Sequence, residues 1–118
     1  MGLFPDPEPV PLRPYPESPH QTRIRINGDR ARRELPRHLQ IGDVQVRVGG
    51  RIFTGWINGV SGGADSYEPR LIVLEHDPEH KTGSKQPRYL GTWWVPPDDV
   101  IATLDCTTGL YVPLKGKA

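Results

Sequence analysis

The chain reads as a mainly β protein preceded by an extended, proline-rich N-terminal arm. Three observations lead there. Val44, Val46 and Val48 alternate with Gln45 and Arg47 ahead of Gly49-Gly50, which is the period of two of a strand with one buried face, followed by a two-residue hairpin turn. Arg70 to His76 and Arg88 to Val95 supply two further strand-like runs, one aliphatic and one aromatic. Proline (14) and glycine (13) together make up 27 of the 118 residues, against an apolar fraction of 35%, a balance typical of loop-rich β structure with a non-globular segment.

Residues 1–20 form the arm. Prolines stand at positions 5, 7, 9, 11, 14, 16 and 19; each fixes φ and removes a donor, which excludes a helix or a central strand. The expected conformation is polyproline II or irregular, with Leu3, Phe4, Val10, Leu12 and Tyr15 spaced along it as contact residues. Such a segment is either a disordered tail or a strap that clips onto its own domain or a neighbouring subunit. Residues 21–40 read as a basic strand-and-turn segment. Thr22 to Ile26 alternates like a strand, Asn27-Gly28-Asp29 signals a turn, and Arg30 to Leu35 makes one helical turn that Pro36 stops.

Residues 41–114 form the β domain. Across the Gly49-Gly50 turn Val48 should face Arg51, Val46 should face Phe53 and Val44 should face Gly55. That register puts Val44, Val46, Val48, Phe53 and Ile57 on one side and Ile52 and Trp56 on the other. A loop (residues 61–70) leads to a strand over Arg70 to His76, expected to be central and buried on both faces. A polar loop follows from Asp77 to Pro87. In the strand from Arg88 to Val95 the pleat separates Tyr89, Gly91, Trp93 and Val95 from Leu90, Thr92 and Trp94, so one of Trp93 and Trp94 faces the core. Pro96 to Asp99 turns the chain, Val100 to Leu104 is a short strand, and Leu110 to Leu114 adds an edge strand.

Composition narrows the function. The net charge of +1 gives no overall field toward nucleic acid or a membrane. The single Cys106 excludes an intramolecular disulfide and a multi-cysteine zinc site. No apolar run approaches the roughly 20 residues that span a bilayer, and no signal peptide is visible. The expectation is a cytoplasmic protein without a membrane partner, or a virion protein if phage-derived; eleven Arg against four Lys suits a GC-rich genome.

Chemistry-bearing motifs are sparse. His76 and His80 stand four apart, but Pro78 between them denies the helix that would bring them to one face, so no metal site is expected. Cys106 beside Thr107-Thr108-Gly109 reads as a small buried residue, and Asp98-Asp99 as turn formers. The glycine clusters lack the context of a phosphate loop. The expectation is therefore a protein with no enzymatic activity, no cofactor and no small-molecule substrate.

Two sets of surface residues remain. Trp56, Trp93, Trp94 and Tyr89 are surplus aromatics on the β domain, able to anchor a protein partner unless the arm or residues 21–40 cover them. Arg23, Arg25, Arg30, Arg32 and Arg33 belong to a stretch, Arg13 to Arg51, with nine Arg and four acids; this is a candidate phosphate-binding face, or else a solvated edge.

Ile41-Gly42-Asp43-Val44 resembles the opening strand of small β-barrels of the Tudor/KOW or Src-homology type. Trp94-Val95-Pro96-Pro97-Asp98-Asp99-Val100 is similar to their aromatic strand, one-turn helix and closing strand. The likeness covers about residues 41–104 and points to no individual family. It implies a five- to six-stranded barrel acting as a binding or assembly module. The reading that joins these observations is a non-catalytic assembly protein, such as an accessory protein of a phage head or tail. Its arm would strap onto self or a larger scaffold. The rival is a nucleic-acid-binding barrel using the arginines and outward aromatics.

Overall fold

The computed structural model describes residues 16–79 and 88–115. A helix, α1 (Pro19–Glu34), and a 3-10 turn (Arg37–Leu39) precede six strands. The strands are β1 (Gly42–Val48), β2 (Arg51–Ser61), β3 (Arg70–His76), β4 (Tyr89–Val95), β5 (Val100–Asp105) and β6 (Leu110–Pro113). They form one antiparallel sheet in the order β4-β3-β2-β1-β5-β6.

The β1–β2 hairpin has the expected register, with Val48 opposite Arg51, Val46 opposite Phe53 and Val44 opposite Gly55. Gly49 takes φ 61°, as the first central position of a primed turn requires. β2 is long enough to serve two partners: its first part pairs with β1 and its second with β3.

The expected barrel is not closed. β4 and β6 are the two edges of an open sheet, and no hydrogen-bonded ladder joins them among the described residues. The sheet is nevertheless curled. β4 and β5 lie four strand spacings apart, about 19 Å in a flat sheet. Yet Val95 and Val100 are linked only by Pro96 and a single 3-10 turn, Pro97–Asp99. Register shifts in the β1–β5, β2–β3 and β3–β4 pairings mark bulges, which bend and twist a sheet. The curl explains why Val44, Val46, Ile57, Leu71, Val73, Val95 and Val100 are all sealed from solvent with one helix beside them. Leu39, from the 3-10 turn after α1, completes this core.

β3 is central as expected, but its burial alternates: Leu71, Val73 and Glu75 are buried, whereas Ile72 and Leu74 are half-buried on the outer face. Its burial on both faces is thus corrected to burial on one.

The strand expected over Thr22 to Ile26 is instead helix, and the Asn27-Gly28-Asp29 turn lies inside it. The decisive signals precede the alternation. Ser18 accepts from the Gln21 N–H at 3.2 Å and Gln21 Oε1 accepts from the Ser18 N–H at 3.0 Å, a reciprocal cap, with Pro19 preset for the first helical turn. Arg30–Glu34 and Asp29–Arg32 pairs follow at helical spacing. Pro36 does stop the helix: Leu35 is its C-cap, and Gln40 Nε2 donates to the Arg32 and Leu35 carbonyls at 2.8 and 2.7 Å. The helix thus begins at Pro19, inside the stretch from which the prolines were expected to exclude a helix.

Gly28, costly in a free helix, is buried inside α1; the glycine that the packing requires is Gly62. α1 lies against the end of β2 so closely that a Cβ on Gly62 would sit 1.9 Å from the Asn27 carbonyl oxygen. Asn27 Nδ2 donates to the Gly63 carbonyl at 3.2 Å, and the Tyr67 hydroxyl donates to Glu34 at 2.8 Å.

Candidate interaction surface

The two edges of the sheet are unlike. β6 is four residues long and ends in Pro113, both of which discourage a further strand. β4 spans seven residues, YLGTWWV, with neither a charge nor a proline. Leu90 is 54% and Trp94 60% exposed on it. The free main-chain groups can be assigned by alternation. The Asp77 N–H donates to the Arg88 carbonyl at 3.0 Å. Counting back along β3, Glu75, Val73 and Leu71 turn their groups to Gly91, Trp93 and Val95. Thr92 and Trp94 then turn theirs to the open edge.

The pleat settles the tryptophans. Trp93 lies on the inner side, half-buried, with its ring centroid 5.4 Å from that of Phe53 and its indole N–H donating to Glu75 Oε1 at 2.8 Å. Trp94 points outward, opposite Ile72. Trp56 is half-buried on the same outer face, between Asp43 and Leu74 in the ladder. Residues 21–40 do not cover Trp94. Tyr89 is half-buried and stacks on His76 at 5.7 Å. Of the four aromatics, Trp94 is the one presented to solvent.

Glu75, which the sequence reading left inside an apolar strand, is a buried carboxylate on the core face at 4% exposure. Arg51 donates to both its oxygens, through Nη1 at 3.1 Å and through Nη2, while lying over the Phe53 and Trp93 rings at 5.1 and 5.8 Å. Hydrogen bonding from Arg51 holds the Glu75 carboxyl below its usual range; burial works the other way and the Trp93 N–H adds to the lowering. Two sequence signals could have found this pair: Glu75 has the parity of Leu71 and Val73, and a half-buried indole needs an acceptor.

A second polar cluster lies on the outer face. His76 contacts Asp43 through Nε2 at 3.2 Å and Thr54 through Nδ1 at 3.4 Å, tying β1, β2 and β3. Tyr111 from β6 reaches toward this cluster. Its phenol is pushed above the ordinary value by burial and by the Asp43 charge, against a smaller opposing effect of Thr54. The strand ladder holds Thr54, and the cluster acts as a clamp across strands. Its residue separations, up to 68 positions between Asp43 and Tyr111, hid it from any spacing argument.

The arginines do not converge. At 100° per residue Arg23 and Arg30 share one side of α1, Arg25 and Arg32 the opposite side, and Arg33 lies between. Arg25 is paired with Glu17, Arg30 with Glu34 and Arg32 with Asp29, and Arg30 also stacks on Tyr67 at 3.8 Å. Leu3, Phe4, Val10, Leu12, Tyr15 and His80 lie outside the described residues. Among the described residues no group of three His, Cys, Asp or Glu could hold a metal ion, and no helix is long and apolar enough to cross a membrane. Comparison with protein-family models, with curated proteins and with solved structures finds no match.

Proposed function

We propose that the chain is a non-catalytic protein-interaction module working in a multi-subunit assembly, with β4 as its contact strand. The observation that carries the reading is the contrast between the two edges: both are uncharged and apolar, but β6 is short and ends in proline, whereas β4 is long and free of proline. Exposed edge strands are templates for pairing, and proteins blunt those they do not use. Trp94, 60% exposed, offers about 120 Å² to a partner, about 3 kcal/mol of transfer free energy. Ile72 and Leu74 continue the apolar surface inward from it.

The reading also keeps the small-barrel resemblance. A meander β1 to β4, a single 3-10 turn and a β5 that returns to pair with β1 is the strand plan expected of such a module, here with an open sheet. An accessory role in a phage particle is one form such an assembly takes. The nucleic-acid reading has less behind it, since three of its five arginines are paired with acids and the five surround the helix.

Light scattering after size-exclusion chromatography, over a concentration series, tests the proposal on the full chain and on Leu90→Thr/Trp94→Thr. The wild type should associate as concentration rises and the variant should stay monomeric. If the variant associates as the wild type does, β4 is not the contact strand.

A further inference from the structure

We infer that the partner on β4 is residues 5–12 of a second copy, added as an antiparallel seventh strand. This deepens the function proposed above and rests on it.

The argument begins with the spacing of the arm's prolines. Pro5, Pro7, Pro9 and Pro11 recur every second residue. In an extended chain successive residues turn their main-chain groups to opposite edges. All four prolines, which lack an N–H, therefore fall on one edge, and Asp6, Glu8, Val10 and Leu12 present their N–H groups on the other. A segment so built can hydrogen-bond along one edge only. Asp6, Glu8 and Val10 each precede a proline, which biases them to extended backbone before any partner arrives and lowers the ordering entropy lost on docking.

β4 offers the complementary edge. Thr92 and Trp94 turn their main-chain groups outward, and their side chains lie on the outer face. Opposed residues of an antiparallel pair share a face. Val10 and Leu12 accordingly join Trp94 on the outer face, while the prolines fall on the inner side, toward Trp93. The new edge consists of prolines, so a third strand finds few donors and the addition stops after one. The arm thus caps an edge that would otherwise invite open-ended pairing.

A second copy is the source on the function proposed above, because an arm folded back on its own β4 would close that edge and leave no contact strand. Ile24, Gly28, Ala31 and Leu35 form one stripe along α1. Gly28 and Ala31 are buried, but Ile24 is 43% exposed. The N-terminal half of the helix thus overhangs the domain, carrying the arm about 13 Å from the contact at Gly28.

Two double variants of the full chain test the inference, read by sedimentation equilibrium and by amide exchange at Thr92 and Trp94. Glu8→Pro/Val10→Pro removes two of the donors that should face β4. It should weaken the dimer about tenfold or more and expose both amides. Pro7→Ala/Pro9→Ala touches only the outward edge and should leave both readouts near wild type. The opposite pattern would mean docking through the proline rings and would overturn strand addition. Protection of Thr92 and Trp94 that persists in dilute monomer would overturn the second copy as its source. If neither arm variant has an effect while Leu90→Thr/Trp94→Thr dissociates the dimer, the arm is not the occupant and the interaction reading stands. If no variant alters the association state or the exchange, both fall.

Discussion

Replacing Gly62 by alanine probes the joint between α1 and the sheet. The added methyl carbon would lie 1.9 Å from the Asn27 oxygen, 2.1 Å from the Asn27 carbonyl carbon and 2.7 Å from the Gly28 nitrogen. All three are helix backbone atoms, so no side-chain rotation relieves the overlap, and the helix must retreat by about 1.5 Å to restore ordinary contact. That retreat opens a gap over Ala31, which is fully buried, and stretches the Asn27–Gly63 and Tyr67–Glu34 hydrogen bonds. Overpacking costs about 1–3 kcal/mol; because both sides of this contact are main chain, the upper end, about 3 kcal/mol, is expected. Gly59→Ala is the control, since its nearest atom, Ile72 Cδ1, is an ordinary 3.7 Å away, and its stability should stay within about 0.5 kcal/mol of wild type. Equilibrium urea unfolding measures both. If Gly62→Ala and Gly59→Ala unfold at the same urea concentration, α1 does not sit where this packing requires.

Three further outcomes are expected. Ser18→Ala removes half of the reciprocal cap on α1 and should lower stability by about 1 kcal/mol, with faster amide exchange in the first turn and little change in the sheet. Glu75 has a folded pKa below its ordinary 4.5. Its stabilising contribution is therefore present above that value and lost as pH falls through the folded pKa. Arg51→Met removes the main cause of the lowering, so its urea midpoint should lie below wild type at about pH 6 and should fall less steeply toward about pH 3, the two profiles converging; parallel profiles would contradict the assigned cause. Trp94→Thr should leave the urea midpoint of the monomer within about 0.5 kcal/mol of wild type, because the side chain is mostly in solvent, while reducing association.

How much of this was legible varied with the range of the signal. The β1–β2 hairpin was readable to the residue, since Val44, Val46, Val48 and Gly49-Gly50 carry both the pleat and the turn within seven positions. The 3-10 turn after β4 was equally local. Helix α1 was misread because Thr22 to Ile26 alternates by residue type, while the features that decide the helix lie upstream, in the Ser18–Gln21 cap and Pro19. Gly28 looked like a turn signal but lies inside the helix, and the close seat of that helix on the sheet depends on Gly62, 34 positions away. The barrel expectation followed the strand order correctly to β5, but closure depends on whether β4 meets β6, which no single strand encodes. Glu75 was taken into an apolar run because its compensating partners, Arg51 and Trp93, come from two other strands. Trp94 was named as a candidate contact, yet choosing it over Trp93 needed the side of the pleat on which Val95 and Val73 sit.

The central claim, that β4 is a used edge and not an idle one, is tested most directly by amide exchange at Thr92 and Trp94 across a concentration series of the full chain. The account predicts that both N–H groups gain protection as concentration rises, in step with association. Exchange of both amides at the rate of a free edge, in samples where light scattering shows the chain associated, would contradict it.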